Sequence, residues 1–334
     1  MVVTAHWIDD KWNLKKKILN VFQTSDHKGE IIAKEIEACL FDWKIYNIFT
    51  VTLDNATAND SAIKHLKRRI EDWKGSILGN EFLHVRCNAH ILNLIVKERL
   101  DEQNESISRV TLKFSGTSYV TSNSFFYEIF NLQKIIYKYV RSEDSILSGM
   151  AKKMELKFNK YWSTFKSMNK LLFIDVVLDP RYKLKYMEYL FKNSYGCLVG
   201  AKKLKKMMNT LSRLYNYYMS SFYGTHTDNI SGQTSLNDEI DTIHCDEIWQ
   251  SQWEKYLADE DNTKNKSELE KYLVDDLEKI KELDILAWWK VSSARYPIIS
   301  RMARDVLSIS ISIIASESAF SEVPLRPPDE SELR

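Results

Sequence analysis

Residues 47–60, NIFTVTLDNATAND, place the strongest constraint on the fold of this 334-residue chain. β-Prone, mostly apolar residues continue to Leu53, and polarity changes abruptly at Asp54. This pattern predicts a buried strand, a polar loop and the start of a helix. A carboxylate at the carboxyl end of a strand suits a metal ligand, because open α/β sheets bind ligands at that edge. Alternatively, Asp54 and Asn55 form only a turn, in which the side chain bonds its own backbone.

The first hundred residues predict an α/β arrangement. Residues 2–8 alternate as a strand does, and apolar residues over 29–43 recur at helical spacing. The other elements predicted around the strand of residues 47–53 are strands at 12–22 and 82–85, a helix at 58–73 and a helix from Cys87. The order β-β-α-β-α-β-α predicts one mixed sheet with covering helices.

The middle of the chain predicts helices. Between residues 122 and 222, apolar side chains recur every three or four positions, which is typical of the core-facing stripes of helices. These stripes contain Phe126, Ile129, Phe130, Ile136, Val140, Ile146, Met150, Met154, Phe158, Trp162, Leu204, Met208, Leu211, Tyr215, Tyr218 and Phe222. Residues 224–266 are polar and acidic and predict a mobile linker. Ser267 and Glu270 form a capping-box pattern, so a helix is expected to restart there.

Composition limits the classes of partner. The formal net charge is +1, so any nucleic-acid surface has to be a local patch. One basic patch comprises Lys64, Lys67, Arg68 and Arg69, and another lies at residues 202–206, where a solvated helix face is the favoured interpretation over a phosphate track. The four cysteines fit no disulfide framework, and no signal peptide or membrane segment is indicated. A soluble protein of a reducing compartment is expected.

Residues 284–321 are rich in aromatic and β-branched side chains. Trp288 and Trp289 lie beside Leu283, Ile285 and Leu286, which is more apolar surface than a helix next to a linker requires. This segment is therefore expected either to pack back on the first domain or to meet another chain.

Four sequence blocks resemble the hAT superfamily of transposases, in particular its plant sleeper-type members. The blocks are VTLDNATAND with RCNAHILNLIV, FSGTSYVTSN with MAKKMELKFNKYW, VVLDPRYKLKYMEY, and DILAWWKVSSARYPIISRMARDVL with ASESAFS. The resemblance implies an RNase H-like core with a large helical insertion and a C-terminal dimerisation region. It thus implies α/β plus all-α architecture, with a truncated RNase H-like mixed sheet.

The resemblance also assigns roles to residues. In the family, two Asp and one Glu hold two divalent ions, Mg²⁺ or Mn²⁺, which activate water for strand cleavage. Asp54 matches the second Asp, Glu317 matches the Glu, and His90 matches the histidine of the family's CxxH motif. The residues expected in the dimerisation region are Trp288, Trp289, Tyr296, Leu307 and Phe320.

Cys87 and His90 could alternatively bind zinc. One CxxH pair supplies two ligands, whereas a structural zinc site needs four. His244 and Cys245 lie in the linker and make a poor second pair. Packing of Cys87 at the start of a helix is the favoured interpretation.

Departures from the family pattern lead us to expect an inactive protein. The sequence begins after the strand that holds the family's first catalytic Asp, and no BED-type zinc finger is present. None of the remaining candidates, Asp9, Asp10, Asp26 and Asp42, is expected at the centre of a strand, as the first ligand requires.

These observations predict five segments: a partial RNase H-like core at 1–101, a helical insertion at 102–223, a linker at 224–266, a dimerisation region at 267–321 and a disordered tail at 322–334. The expected function is that of a transposase-derived nuclear protein that dimerises with itself or with a related hAT protein and contacts DNA weakly or non-specifically, without catalysis, cofactor or membrane. The alternatives are an active transposase or nuclease that requires Mg²⁺ or Mn²⁺, and a decayed fragment without specific function.

Overall fold

The computed structural model describes residues 1–23, 28–73, 75, 77–96, 125–162, 168–223 and 267–313. The chain divides into two compact units, one formed by Met1–Asp175 with Arg304–Arg334 and the other by Val176–Ala303. The described residues are mostly helical, with two small sheets. The five segments expected from the sequence follow a different division and stay a prediction.

Two separate strand pairs form the sheets of the first unit. β1 (Val2–Ile8) pairs with β2 (Leu14–Val21) as an antiparallel hairpin, with an irregularity after Val3. β3 (Val51–Leu53) pairs with β4 (His84–Arg86) in parallel. The prediction of one mixed sheet was wrong for the described residues, because no backbone ladder joins the hairpin to β3. The predicted strand over 47–53 shortens to three residues, since its ladder extends only as far as the three-residue β4.

The two helices predicted for residues 29–43 and 58–73 are confirmed. α1 (Gly29–Asp42) and α2 (Thr57–Asp72) bury their apolar faces in one cluster. Leu66 and Ile70 of α2 have no exposed surface. Burying such a side chain contributes about 1.5–3 kcal/mol, so this cluster holds the helices together.

Four further helices belong wholly or mainly to the first unit: α3 (Asn88–Val96), α4 (Phe125–Val140), α5 (Ser145–Trp162) and α6 (Leu171–Val177). Phe126 and Phe173 pack with their ring centroids 4.3 Å apart, and Phe158 and Trp162 lie at 5.4 Å. Ile146 corrects the predicted stripe, since 73% of its surface is exposed. Ile146 lies in the first turn of α5, whereas the first buried residue of this helix is Ser148.

The second unit is helical. It contains α7 (Lys183–Tyr195), α8 (Cys197–Tyr223), α9 (Glu268–Val274), α10 (Ile285–Ser292) and most of α11 (Pro297–Leu307). Gly196 turns the chain between α7 and α8 with a φ of 75°, a conformation that glycine adopts without strain. The predicted capping box at Ser267 is confirmed by both of its hydrogen bonds. In the described part of the chain, no helix combines the length and apolar character needed to cross a membrane.

Candidate functional site at the carboxyl ends of β3 and β4

Polar side chains gather where β3 and β4 end. The parallel register places Leu53 opposite Arg86, so the loop after each strand leaves from the same edge. Arg86 donates from one guanidinium nitrogen to Asn55 Oδ1 at 3.2 Å and from the other to Asp60 Oδ1 at 2.9 Å. This guanidinium therefore joins β4 to the loop and helix that follow β3.

Asp54 is a turn residue in this arrangement. Its Oδ1 accepts hydrogen bonds from the backbone N–H of Ala56 at 2.8 Å and from Asn59 Nδ2 at 2.7 Å. Ala56 is the N-cap residue of α2, and its side chain accepts no hydrogen bond. The carboxylate of Asp54 instead accepts a hydrogen bond from the backbone N–H of Ala56 at the start of the helix. The turn alternative from the sequence is thus present, and a role of Asp54 in catalysis stays a prediction.

The end of the described chain returns to the same strand edge. Thr52 Oγ1 donates to the carbonyl oxygen of Ser310 at 2.7 Å, and the backbone N–H of Asn88 donates to that of Ile311 at 2.8 Å. Glu317 lies only four positions after Ile313 but outside the described residues. Phe320 also lies outside them.

Cys87 is enclosed by these contacts. It has no exposed surface, and its Sγ accepts a hydrogen bond from the backbone N–H of Ile313 at 3.4 Å. Burial raises the pKa of the Cys87 thiol, which disfavours the thiolate that binds zinc. His90 is half-buried on the first turn of α3, and His244 and Cys245 lie outside the described residues. Cys87 therefore packs at the start of a helix, as favoured from the sequence.

The described residues do not fit the divalent-metal site that the resemblance implies. Nowhere in the described ranges do three His, Cys, Asp or Glu side chains group closely enough to hold a metal ion. Asp60, the acidic residue nearest to Asp54 in sequence, is paired with Arg86. Asp9, another candidate, accepts hydrogen bonds from the backbone N–H groups of Lys11 and Asn13 and from Asn13 Nδ2 inside the hairpin turn. No reaction step through a metal follows from this donor set.

The four basic residues predicted to bind DNA lie on α2 in different settings. Lys64 and Arg68 are exposed one helical turn apart, and Lys67 is half-buried beside them. Arg69 is engaged by Glu37 of α1, with Nε to carboxylate distances of 2.9 and 2.7 Å. Arg69 therefore joins two helices although its side chain is exposed, and Lys64 and Arg68 are the other exposed members of the patch.

The residues predicted for dimerisation that the structure describes pack inside their own chain. Trp289, Tyr296 and Leu307 are all buried. In the second unit, the ring of Tyr272 lies 5.3 Å from that of Trp289 and 5.6 Å from that of Tyr296. Trp288 is half-buried and donates its indole N–H to Glu278 Oε1 at 2.9 Å. Their part in dimerisation stays a prediction, and their packing within the chain is an additional role.

Lys183 is a buried polar residue that sequence reasoning missed. Its Nζ donates to the carbonyl oxygens of Tyr272, Asp275 and Asp276 at 2.8, 2.9 and 3.2 Å, where α9 ends. Burial lowers the pKa of Lys183 to about 8. The block VVLDPRYKLKYMEY contains this residue, but its spacing does not indicate a partner some ninety positions later.

Three family models match the chain. The model of the ZBED1 RNase-like domain matches residues 1–82, that of the hAT-like transposase with RNase-H fold matches residues 123–218, and that of the hAT family C-terminal dimerisation region matches residues 268–333. The last of these begins at α9 and includes Trp288, Trp289 and Tyr296. The second covers α4, α5, α6, α7 and most of α8, the part predicted from the sequence as a helical insertion.

Curated relatives align over almost the whole chain. A putative AC transposase of Zea mays is 26% identical over 96% of this chain and 51% of its own length. The zinc finger BED domain-containing proteins RICESLEEPER 2 of Oryza sativa subsp. japonica and DAYSLEEPER of Arabidopsis thaliana are 25% and 24% identical, each over 96% of this chain, with 58% and 57% of their own lengths covered. The chain thus spans about half the length of the relatives it matches.

Proposed function

The chain belongs to the hAT superfamily of transposases, and we propose that it acts in the nucleus as a DNA-contacting, self-associating protein without cleavage activity. The observation that carries this proposal is the state of Asp54, whose Oδ1 is bound within the turn before α2. A metal at this oxygen would have to replace both of its hydrogen bonds. The neighbouring Asp60 is neutralised by Arg86, which further weakens this edge as a cation site.

DNA contact is assigned to the exposed basic residues of α2. Lys64 and Arg68 lie four positions apart and therefore share one face of the helix. Each cation that neutralises a phosphate releases counterions, so binding through them would be independent of sequence and sensitive to salt. Arg69 is excluded from this role because Glu37 already holds its guanidinium.

Self-association is assigned to the exposed side of α10. Val291 is 82% exposed, and the half-buried Trp288 lies three positions before it, on the same side of the helix. Both fall in the part of the chain that the dimerisation model matches. The ring of the buried Trp289 packs against that of Trp288. We propose that a second copy of the chain binds this side of α10.

The DNA contact is tested by fluorescence anisotropy with a labelled duplex over a range of salt concentrations. Replacing Lys64 and Arg68 by Gln should reduce the slope of log affinity against log salt by about 1–2. The matched control replaces Lys134 and Lys138, which have the same spacing and are exposed on α4. Equal loss in both double variants, or none in either, would contradict the assignment to α2.

Metal-dependent strand cleavage is the second candidate, because one observation favours it. Residues 308–313 run along the strand edge at which Asp54 stands. Glu317 follows Ile313 by four positions in the sequence. If these two carboxylates act together with Mg²⁺ or Mn²⁺, nicking of DNA should depend on the metal and be lost in both Asp54→Asn and Glu317→Gln.

A further inference from the structure

A small cavity lies against β4 in the first unit. Its volume is about 60 Å³, and the residues that line it include His84, Arg86, Asn88, Trp162 and Asn169. His84 and Arg86 are two positions apart in the strand, so their side chains lie on the same face. The cavity has room for a few water molecules or for one group of about the size of a phosphate.

Asn88 holds an unused hydrogen-bond donor at this cavity. Its side chain is only 2% exposed. Trp162 Nε1 donates to Asn88 Oδ1 at 3.3 Å, and this fixes the orientation of the amide because an indole N–H requires an acceptor. The remaining atom, Asn88 Nδ2, is buried and has no hydrogen-bond partner among the described residues. Since an unsatisfied buried donor is unfavourable, an acceptor that enters the cavity gains this bond without displacing another.

His84 adds a second unused group. Its Nε2 is buried and, in the part of the chain that the structure describes, also lacks a hydrogen-bond partner. Asn169 Nδ2 donates to the backbone carbonyl oxygens of Phe82 and His84 at 2.7 and 2.9 Å, which fixes the strand beside the cavity. Within the described ranges, Asn88 Nδ2 and His84 Nε2 are thus held beside the cavity without a partner.

The charged groups near His84 are predominantly positive. The charged groups that act on His84 are Arg86 and Lys67, opposed by Asp60, so the cations outnumber the anion. The two hydrogen bonds of Arg86 to Asn55 and Asp60 leave further N–H groups of its guanidinium for a ligand. Asn88 is also the first residue of α3, where the helix dipole favours an anion.

We infer that this cavity binds the phosphate group of a ligand, with Asn88 Nδ2, His84 Nε2 and Arg86 as the donors. The group comes either from free phosphate or a nucleotide, or from the backbone of a nucleic acid. A nucleic acid as the source would add to the DNA contact proposed above and depend on it, whereas free phosphate would bind independently of DNA. Burial, followed by the charge of Arg86, lowers the pKa of His84 to about 4, and a bound anion would raise it.

The test follows the His84 ring by NMR in the full chain, with the signal assigned from a His84→Gln variant. Inorganic phosphate is titrated against chloride at matched ionic strength, and a short duplex is titrated separately. We expect phosphate to raise the pKa of His84, and Asn88→Asp to weaken phosphate binding by at least about tenfold through charge repulsion. Asn193→Asp, the same change at an exposed asparagine of α7, should bind phosphate as the unmodified chain does.

Each outcome either identifies the source of the phosphate group or shows that the cavity does not bind phosphate. A response of His84 to inorganic phosphate identifies free phosphate as a ligand, and a response to the duplex alone identifies the nucleic-acid backbone. If neither ligand moves the pKa of His84, or if Asn88→Asp binds as before, the cavity is not a phosphate site. Salt-dependent duplex binding that persists in Asn88→Asp, and falls only when Lys64 and Arg68 are replaced, would leave the proposed function standing without this site.

Discussion

Trp289 donates its indole N–H to the backbone carbonyl oxygen of Leu178 at 3.0 Å, from a position without exposed surface. The two residues are 111 positions apart. This contact joins the start of the second unit to the segment that the dimerisation model matches. Tyr272 repeats the pattern, since its hydroxyl donates to the carbonyl oxygen of Val177 at 3.0 Å.

The first prediction concerns the stability of this core. Trp289→Ala removes a large buried ring and leaves the Leu178 carbonyl without its donor, so the free energy of unfolding should fall by about 3–5 kcal/mol. Urea unfolding followed by circular dichroism measures the change. Lys290→Ala, at the next position and exposed, is the control and should stay within about 0.5 kcal/mol of the unmodified chain.

The second prediction separates self-association from folding. Val291→Asp places a charge on the proposed contact surface of α10, where a partner would have to bury it. Light scattering after size exclusion should show a shift toward the monomer, while the urea midpoint stays unchanged at a protein concentration low enough for both proteins to be monomeric. An unaltered mass in this variant would show that the exposed side of α10 is not the contact surface.

The third prediction concerns Lys183. Lys183→Met leaves the carbonyl groups of Tyr272, Asp275 and Asp276 without their shared donor at the end of α9. The free energy of unfolding should fall by about 2 kcal/mol. Lys185→Met, an exposed position on the same helix, serves as the control in the same urea series. Equal stability of the two variants would mean that Lys183 does not stabilise this helix end.

The fourth prediction is a loss of stability in acid through His6. Burial, with a smaller contribution from Lys16, lowers the pKa of His6 to about 4. The unfolded chain, with an ordinary histidine pKa near 6.5, therefore binds more protons between about pH 6.5 and 4, and stability falls as the pH is lowered through that range. His6→Phe should remove about 1–2 kcal/mol of the difference in unfolding free energy between pH 7 and pH 5. A variant with the unchanged pH dependence would rule out His6 as its source.

Much of the local structure could be predicted from the sequence, because its signals are themselves local. The amphipathic spacing of α1 and α2 and the capping box at Ser267 depend on residues within a few positions of one another, and the structure confirms them. Ile146 fits the spacing of its stripe but stands in the first turn of its helix, where the core does not reach it. Periodicity gives the phase of a helix face, but it does not say where the neighbouring element ends.

The site was harder to predict because its contacts are distant in sequence. Both interpretations of Asp54 fit the local pattern, and only the hydrogen bonds of Ala56 and Asn59 show the turn. The pairing of Asn88 with Trp162 spans 74 positions, and no repeat or spacing indicates it. The surplus of apolar residues near Trp289 left packing on the first domain and contact with another chain both open, and it did not indicate Leu178 as the neighbour.

The central claim is that this chain contacts DNA without cleaving it. The most direct measurement adds the full chain to supercoiled plasmid with Mg²⁺ or Mn²⁺ and records binding and nicking in the same samples, beside Asp54→Asn. We expect salt-sensitive binding by both proteins and no nicking above background by either. Metal-dependent nicking by the unmodified chain that disappears in Asp54→Asn would contradict it, and would establish Asp54 as a catalytic ligand.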